Sequence, residues 1–186
     1  MPLTAYLTLL LAGTALAWPP QPPTWNNFPS SSSAGPNHGL PPCSPQIYAL
    51  ATGIHLNIQG QYSEYNGSVA ILALESANPV NHTAFLIAKG ELLSDIQAGM
   101  NLRQFNQEIA PAGNAALAGL AKYAAAEVTE QNLALGLVGV LEQDRRALEG
   151  LKSDVLAGIM LNEMNLVNAT QSCDFQLVFP AADQSA

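Results

Sequence analysis

The chain has 186 residues, with 14 acidic against 6 basic side chains and a net charge of −8. Phosphate contacts need clustered Lys and Arg, and the basic residues here are scattered from Lys89 to Lys152, which excludes charge-driven binding to nucleic acid or anionic lipid. Hydrophobic residues make up 48% and charged residues only 11%, so the acidity is expected to keep an otherwise apolar protein in solution.

Residues 1–17, MPLTAYLTLLLAGTALA, form a short apolar run closed by Ala15-Leu16-Ala17, the small-x-small pattern of a signal-peptidase site. The run lacks a basic flank and is shorter than the ~20 apolar residues that cross a bilayer. It predicts a cleaved signal peptide, a mature chain from Trp18 and secretion, an uncleaved anchor being the alternative. Residues 18–42 hold eight of the 13 prolines and the run Ser30 to Ser33. Proline removes backbone donors and Ser/Gly tracts carry little apolar area, so an extended, disordered spacer is expected, open to O-linked sugar. The polar end FPAADQSA predicts a disordered tail over 180–186 with no glycolipid anchor.

Residues 43–179 read as one helical domain. The only cysteines, Cys43 and Cys173, flank it. In a secreted chain two cysteines predict one disulfide, with two free thiols as the other reading. Asn66-Gly67-Ser68, Asn81-His82-Thr83 and Asn168-Ala169-Thr170 are N-glycosylation sequons, which behind a leader become expected sugar sites.

Pro79 and Pro111 punctuate the domain. Asn78-Pro79 places a capping side chain before a residue suited to the first helical position, and Asn114 offers a second cap. Segments of 45–77, 79–110 and 113–167 follow. The third exceeds an ordinary globular helix, and LGLVGV, with Gly136 and Gly139, divides it. The prediction is an all-α antiparallel bundle of about four helices closed by one disulfide.

Apolar residues recur at helical spacing in each segment. The stripes are Ile47, Ala51, Ile54, Ile58, Tyr62, Tyr65, Val69 and Leu72; then Phe85, Leu92, Ile96 and Met100, with gaps at Lys89 and Arg103; then Leu117, Leu120, Ala121, Ala124, Val128, Leu135 and Val138; then Leu141, Leu148, Leu151, Val155, Ile159 and Leu166. Asn162 falls in the last stripe, either as a buried amide that fixes register or as an exposed residue near the helix end. DFQLVF, residues 174–179, is the one strand-like piece and is expected to lie across the bundle.

The first helix carries Gly53, Gly60 and Gly67 at intervals of seven, each costing about 1 kcal/mol against alanine. With Ala49, Leu56, Ser63, Ala70 and Leu74 they make a second seam of mostly small residues, which would let another helix approach closely. The Ala-rich stretch 115–127 or an identical seam in a second copy would supply that neighbour; the alternative is a turn at Asn66-Gly67.

No histidine stands three residues after any helical Glu, so the Glu-x-x-His pattern of bundle metal sites is missing. Nucleophile elbows, zinc-protease pairs, phosphate loops and dinucleotide fingerprints are also missing. No catalytic residue, metal or cofactor is expected. Glu127-Val128-Thr129-Glu130 and Glu142-Gln143-Asp144 place carboxylates at helical spacing and read as solvated faces, with a paired-acid hydrolase as the enzymatic alternative. Leu156, Met160 and Val167 form an apolar patch off the main face of the fourth helix and need a destination: a partner, a hydrophobic surface or a held lipid.

Leader, Pro/Ser-rich spacer, sequons and an Ala/Gly-rich helical domain with one cysteine pair together resemble the small secreted and conidial cell-wall proteins of filamentous fungi. The resemblance is one of organisation along the chain and carries no residue role. It implies a non-enzymatic, extracellular or wall-bound glycoprotein, in contact with wall components or a host. The bundle's apolar surplus suggests a lipid-binding module as the alternative, and a homo-oligomer is open on either reading.

Overall fold

A computed structural model describes residues 39–175 and folds them into four helices: α1 (Pro45–Ser76), α2 (His82–Ile109), α3 (Ala116–Gly136) and α4 (Leu141–Thr170). The expected leader, nearly all of the spacer, the end of the strand-like piece and the tail lie outside these residues. Among the described residues no helix is long and apolar enough to cross a membrane.

Local chemistry sets the boundaries. Ser44 caps α1 by accepting from Ile47 N at 3.3 Å, with Pro45 in the first turn, where a missing N–H costs nothing. The cap of α2 is Asn81, which accepts from Ala84 N at 3.1 Å, rather than Asn78. Asn114 performs the same service ahead of α3, taking Ala116 N at 2.9 Å. Between α3 and α4 the chain turns through Gly139 at φ 82°, a left-handed conformation that a side chain resists. A Cβ there would also lie 3.0 Å from the Phe85 ring. The division of the long third segment falls in LGLVGV, as its glycines predict.

α1 packs against α2 and α4, and α3 against the same two, so α1 and α3 share one diagonal of an antiparallel square. Cys43 and Cys173 close the end where α1 begins and α4 finishes, with Cα atoms 4.8 Å apart across 130 residues of sequence. There Asp174 N donates to Pro41 O, and Phe175 packs on Tyr48 with ring centroids 5.5 Å apart.

The apolar core is in two parts. Leu50, Ile54, Ile58, Ala116, Leu120, Val155, Ile159 and Ala169 pack toward the disulfide end. Ile71, Phe85, Leu92, Ile96, Ala134, Leu137, Leu148 and Leu151 pack toward the other. Each buried Leu or Ile stabilises the fold by roughly 1.5–3 kcal/mol. What separates the two clusters is polar.

On the glycine side of α1, the neighbour is α2. A Cβ added at Gly53 would lie 1.9 Å from Asn106 Oδ1, and one at Gly67 would lie 3.5 Å from Leu92. At Gly60 it would meet nothing within 4 Å. Ala49, Leu56, Ser63 and Ala70 are exposed, so close approach is confined to the levels of Gly53 and Gly67. The Ala-rich stretch sits on α3, diagonal to α1, and is not the partner.

Candidate functional site

The layer between the apolar clusters is built from all four helices. On α1 the buried line leaves the hydrophobic stripe after Ile58 and continues through Gln61, Glu64 and Ser68, while Tyr62, Tyr65 and Val69 turn half outward. On α3 the buried line is Ala116, Leu120, Tyr123, Glu127, Glu130 and Ala134. Val128 and Leu135, assigned to the α3 core from their hydrophobicity, are exposed. α2 adds Gly99, Arg103 and Asn106, and α4 adds Gly158, Asn162 and Asn165.

Glu127, Glu130 and Asp144 are therefore buried, which corrects their assignment to solvated faces. Glu142 does face water, with only a loose contact to Arg145 at 3.8 Å. Asn162 is wholly buried and resolves the two options left open for it.

Amide and phenol groups knit the layer across the bundle axis. Gln61 Nε2 donates to the Tyr123 hydroxyl at 2.7 Å, spanning the α1–α3 diagonal. Asn162 Nδ2 donates to Gln61 Oε1 at 2.9 Å, and Asn165 Nδ2 to Asn162 Oδ1 at 3.2 Å. Asn57 Nδ2 reaches Gly99 O at 3.4 Å. An unmade buried hydrogen bond costs about 1–3 kcal/mol, so the bonded run Tyr123–Gln61–Asn162–Asn165 fixes one packing register, while Asn57 Oδ1 and both amide atoms of Asn106 have no partner.

Glycines make the room for these side chains. A Cβ at Gly158 would lie 2.3 Å from Gln61 Nε2, one at Gly119 would lie 1.7 Å from Asn165 Oδ1, and one at Gly99 would lie 3.1 Å from Glu64 Oε1. With Gly53 against Asn106, each of these glycines forms a socket on one helix for a buried polar group of a neighbour. Three of the four, Gly99, Gly119 and Gly158, were not singled out from sequence, because their partners are far away along the chain.

The carboxyls form the second half of the layer. Arg103 bonds Glu127 through Nε and Gln107 through Nη1, the latter at 2.7 Å. Glu130 is completely buried and neither of its oxygens has a hydrogen-bond partner, and the same holds for Glu64 Oε2 and Glu127 Oε1. Burial, then the charges of Glu130, Glu127 and Asp95, push Glu64 up to about 9. Glu130 rises to about 7 through burial, then Glu127 and Asp154. Burial also raises Glu127, against the opposing hydrogen bond and charge of Arg103. Tyr123 is pushed up by burial and by the same carboxylates.

A smaller acid pair lies beneath the α3–α4 turn. Asp144 Oδ2 accepts from Val138 N and Gly139 N, each at 2.7 Å, gathering the turn onto the first turn of α4. Glu75 at the end of α1 lies near it and rises to about 7, through burial and then through the neighbouring Asp144 carboxyl, while neither Glu75 oxygen has a hydrogen-bond partner. Lys89, a gap in the apolar pattern of α2, donates to Leu135 O and Leu137 O at 2.8 and 2.7 Å, where the α3 carbonyls lack helical partners.

Among the described residues no group of His, Cys, Asp and Glu is arranged to hold a metal. Asn81 is exposed, Asn66 and Asn168 are half-buried, and all three sequon asparagines sit on helices or at a helix cap. A cleft of about 340 Å³ opens between α3 and α4, lined by Lys122, Tyr123, Ala126, Thr129, Asp154, Ala157, Gly158 and Leu161. Comparison of the chain with protein-family models, curated proteins and solved structures gives no match.

Proposed function

We propose that the chain is a non-enzymatic secreted protein, a cell-wall or cell-surface constituent that works through its exterior and its sequon sugars. The observation that carries this reading is the division between a bonded interior and an apolar exterior. Gln61, Tyr123 and Asn162 tie α1, α3 and α4 together across the axis. Outside, Leu156, Met160, Met164 and Val167 follow one another at helical spacing along α4, and the last three are more than 60% exposed. Contiguous exposed apolar side chains mark contact surfaces, and methionines adapt to varied apolar partners. The disulfide supports an oxidising, extracellular setting. The Asn81 cap uses Oδ1, whereas N-linked sugar attaches at Nδ2, so capping and glycosylation are chemically compatible there.

Separating a producing culture into medium, wall and cell fractions tests the assignment. The protein is expected in the first two, beginning at Trp18 and losing mass on treatment with an N-glycosidase. Intracellular retention with residues 1–17 still attached would overturn it.

A second reading, an extracellular lipid-binding module, rests on the open α3–α4 cleft, where Ala126, Ala157, Gly158 and Leu161 supply apolar surface beside Lys122, Tyr123, Thr129 and Asp154. Organic-solvent extraction of the purified protein followed by mass spectrometry decides between the two. A stoichiometric fatty acid supports the carrier, and its repeated absence from protein made in lipid-fed cultures supports the surface constituent.

A further inference from the structure

Three carboxyl groups, Glu64 from α1 and Glu127 and Glu130 from α3, are buried in the middle of this bundle, and half-buried Arg103 is the cation bonded to one of them. Tyr123 is buried with them, and the half-buried Asp95 of α2 and Asp154 of α4 add negative charge from the rim. Arg103 from α2 is already engaged by Glu127 and Gln107. Lys122 and Asp154 stand at the α3–α4 cleft, outside the buried layer. His55 is buried on α1 nine residues before Glu64, at the level of the disulfide-end cluster.

The geometry leaves these acids few ways to be charged. Glu130 is buried with no donor to either oxygen, and Glu64 Oε1 rests against the backbone of α2 at Gly99. A buried carboxylate without partners is strongly unfavourable, and like charges nearby add to the cost. A proton removes the charge and supplies a donor at once.

We propose that buried Glu64 and Glu130, beside the Arg103–Glu127 pair, form a proton-operated lock, in which the two protonated carboxyls let the helices close and their ionisation loosens the middle of the bundle, while the disulfide and the two apolar clusters keep its ends together. The lock makes the fold an acid-favoured one and does not depend on whether the exterior serves a wall or a lipid.

The sign follows from proton counting. Glu64 and Glu130 have folded-state values above the ordinary 4.5, so the folded chain binds more protons than the unfolded one between that value and about 9. Stability is full below about pH 4.5 and is lost as pH rises, first through the Glu130 range near 7 and then through the Glu64 range near 9. Moving one carboxyl from 4.5 to about 7 changes the folding constant by at most ~300-fold, which sets the ceiling for Glu130 alone. Glu75 and Glu163, each raised to about 7, add a dependence of the same sign outside the layer.

Urea unfolding of the disulfide-intact chain, followed by circular dichroism from pH 4.5 to 9 in low and in high salt, tests the lock. The unfolding constant is expected to rise at least tenfold across this range, and to keep rising in high salt because buried charges are screened little. A flat profile, or one abolished by salt, overturns the proposal. The double variant Glu64→Gln/Glu130→Gln keeps the side-chain shapes without their titration and should flatten most of the slope, whereas Glu75→Gln should remove only a minor part. A double variant that retains the parental slope overturns the proposal. If the double variant does not fold, amide exchange of the parental chain replaces it. Protection at Tyr123, Glu127 and Glu130, corrected for intrinsic rate, should fall between pH 5 and 8 faster than at Leu50 and Ile54, and equal changes at both places overturn the proposal.

Discussion

Gly158→Ala should weaken this protein, although helix propensity alone says the opposite. In a helix interior, alanine is favoured over glycine by about 1 kcal/mol. At position 158, however, the added carbon would lie 2.3 Å from Gln61 Nε2 and 2.7 Å from Tyr123 Cε2. Both neighbours are buried and bonded to each other. Moving them costs about 1–3 kcal/mol in overpacking, and breaking either Gln61 hydrogen bond leaves buried polar atoms at about 1–3 kcal/mol. Set against the propensity gain, the net loss is about 1–5 kcal/mol. Gly60→Ala is the internal control: it lies within α1, where the new carbon would meet nothing within 4 Å, and should stabilise by about 0.5–1 kcal/mol. Urea melts of the two variants beside the parental chain, with the slope checked for constancy, give both numbers. A Gly158→Ala protein as stable as the parent would refute the socket explanation of the glycines, whatever Gly60→Ala does.

Arg103→Met removes the cation from a pair in which Glu127 is almost wholly buried. Breaking such a pair costs about 3–5 kcal/mol when the remaining charge cannot be discharged. Glu127 can take a proton in acid, so the loss measured by chemical denaturation should be several-fold smaller at pH 5 than at pH 8; equal losses would argue against an ionised Glu127 in the folded state. Replacing both cysteines by serine opens a loop of 130 residues, whose closure is worth roughly 5 kcal/mol at most in the chain-entropy model. The variant should remain helical by circular dichroism, with a lower melting temperature, and an unchanged melting temperature would mean that the helix packing alone restrains the ends.

The architecture was legible because its signals are local. The Asn114 cap, prolines at 79 and 111 and the glycines of LGLVGV act within one helical turn. Where Asn81 replaced Asn78 as the α2 cap, the same chemistry operated three residues later. The cysteine pair was equally plain, since a chain with two cysteines offers each of them one partner.

The candidate site was much less legible. The hydrophobic stripe on α3 ran through Val128 and Leu135, yet the buried face runs through Glu127 and Glu130, about one residue around the helix. On α1 it ran through Tyr62 and Tyr65, whereas Gln61 and Glu64 are inside. One signal was present: Leu120, Tyr123, Glu127, Glu130 and Ala134 keep strict three-and-four spacing with apolar residues at both ends. Reading it requires accepting acids as core residues.

The sequence by itself determined that the chain forms about four helices, roughly where they break, and that one disulfide ties the first and last together, because each of these follows from the preferences of neighbouring residues. Only the tertiary structure decided which face of α1 and α3 turns inward, and what the glycines are for. A glutamate belongs in a core when Arg103 or a proton neutralises it, and a glycine is worth its cost when Asn106, Asn165 or Gln61 fills the space it leaves. Those partners come from other helices, up to a hundred residues away, and no periodicity within one helix contains them.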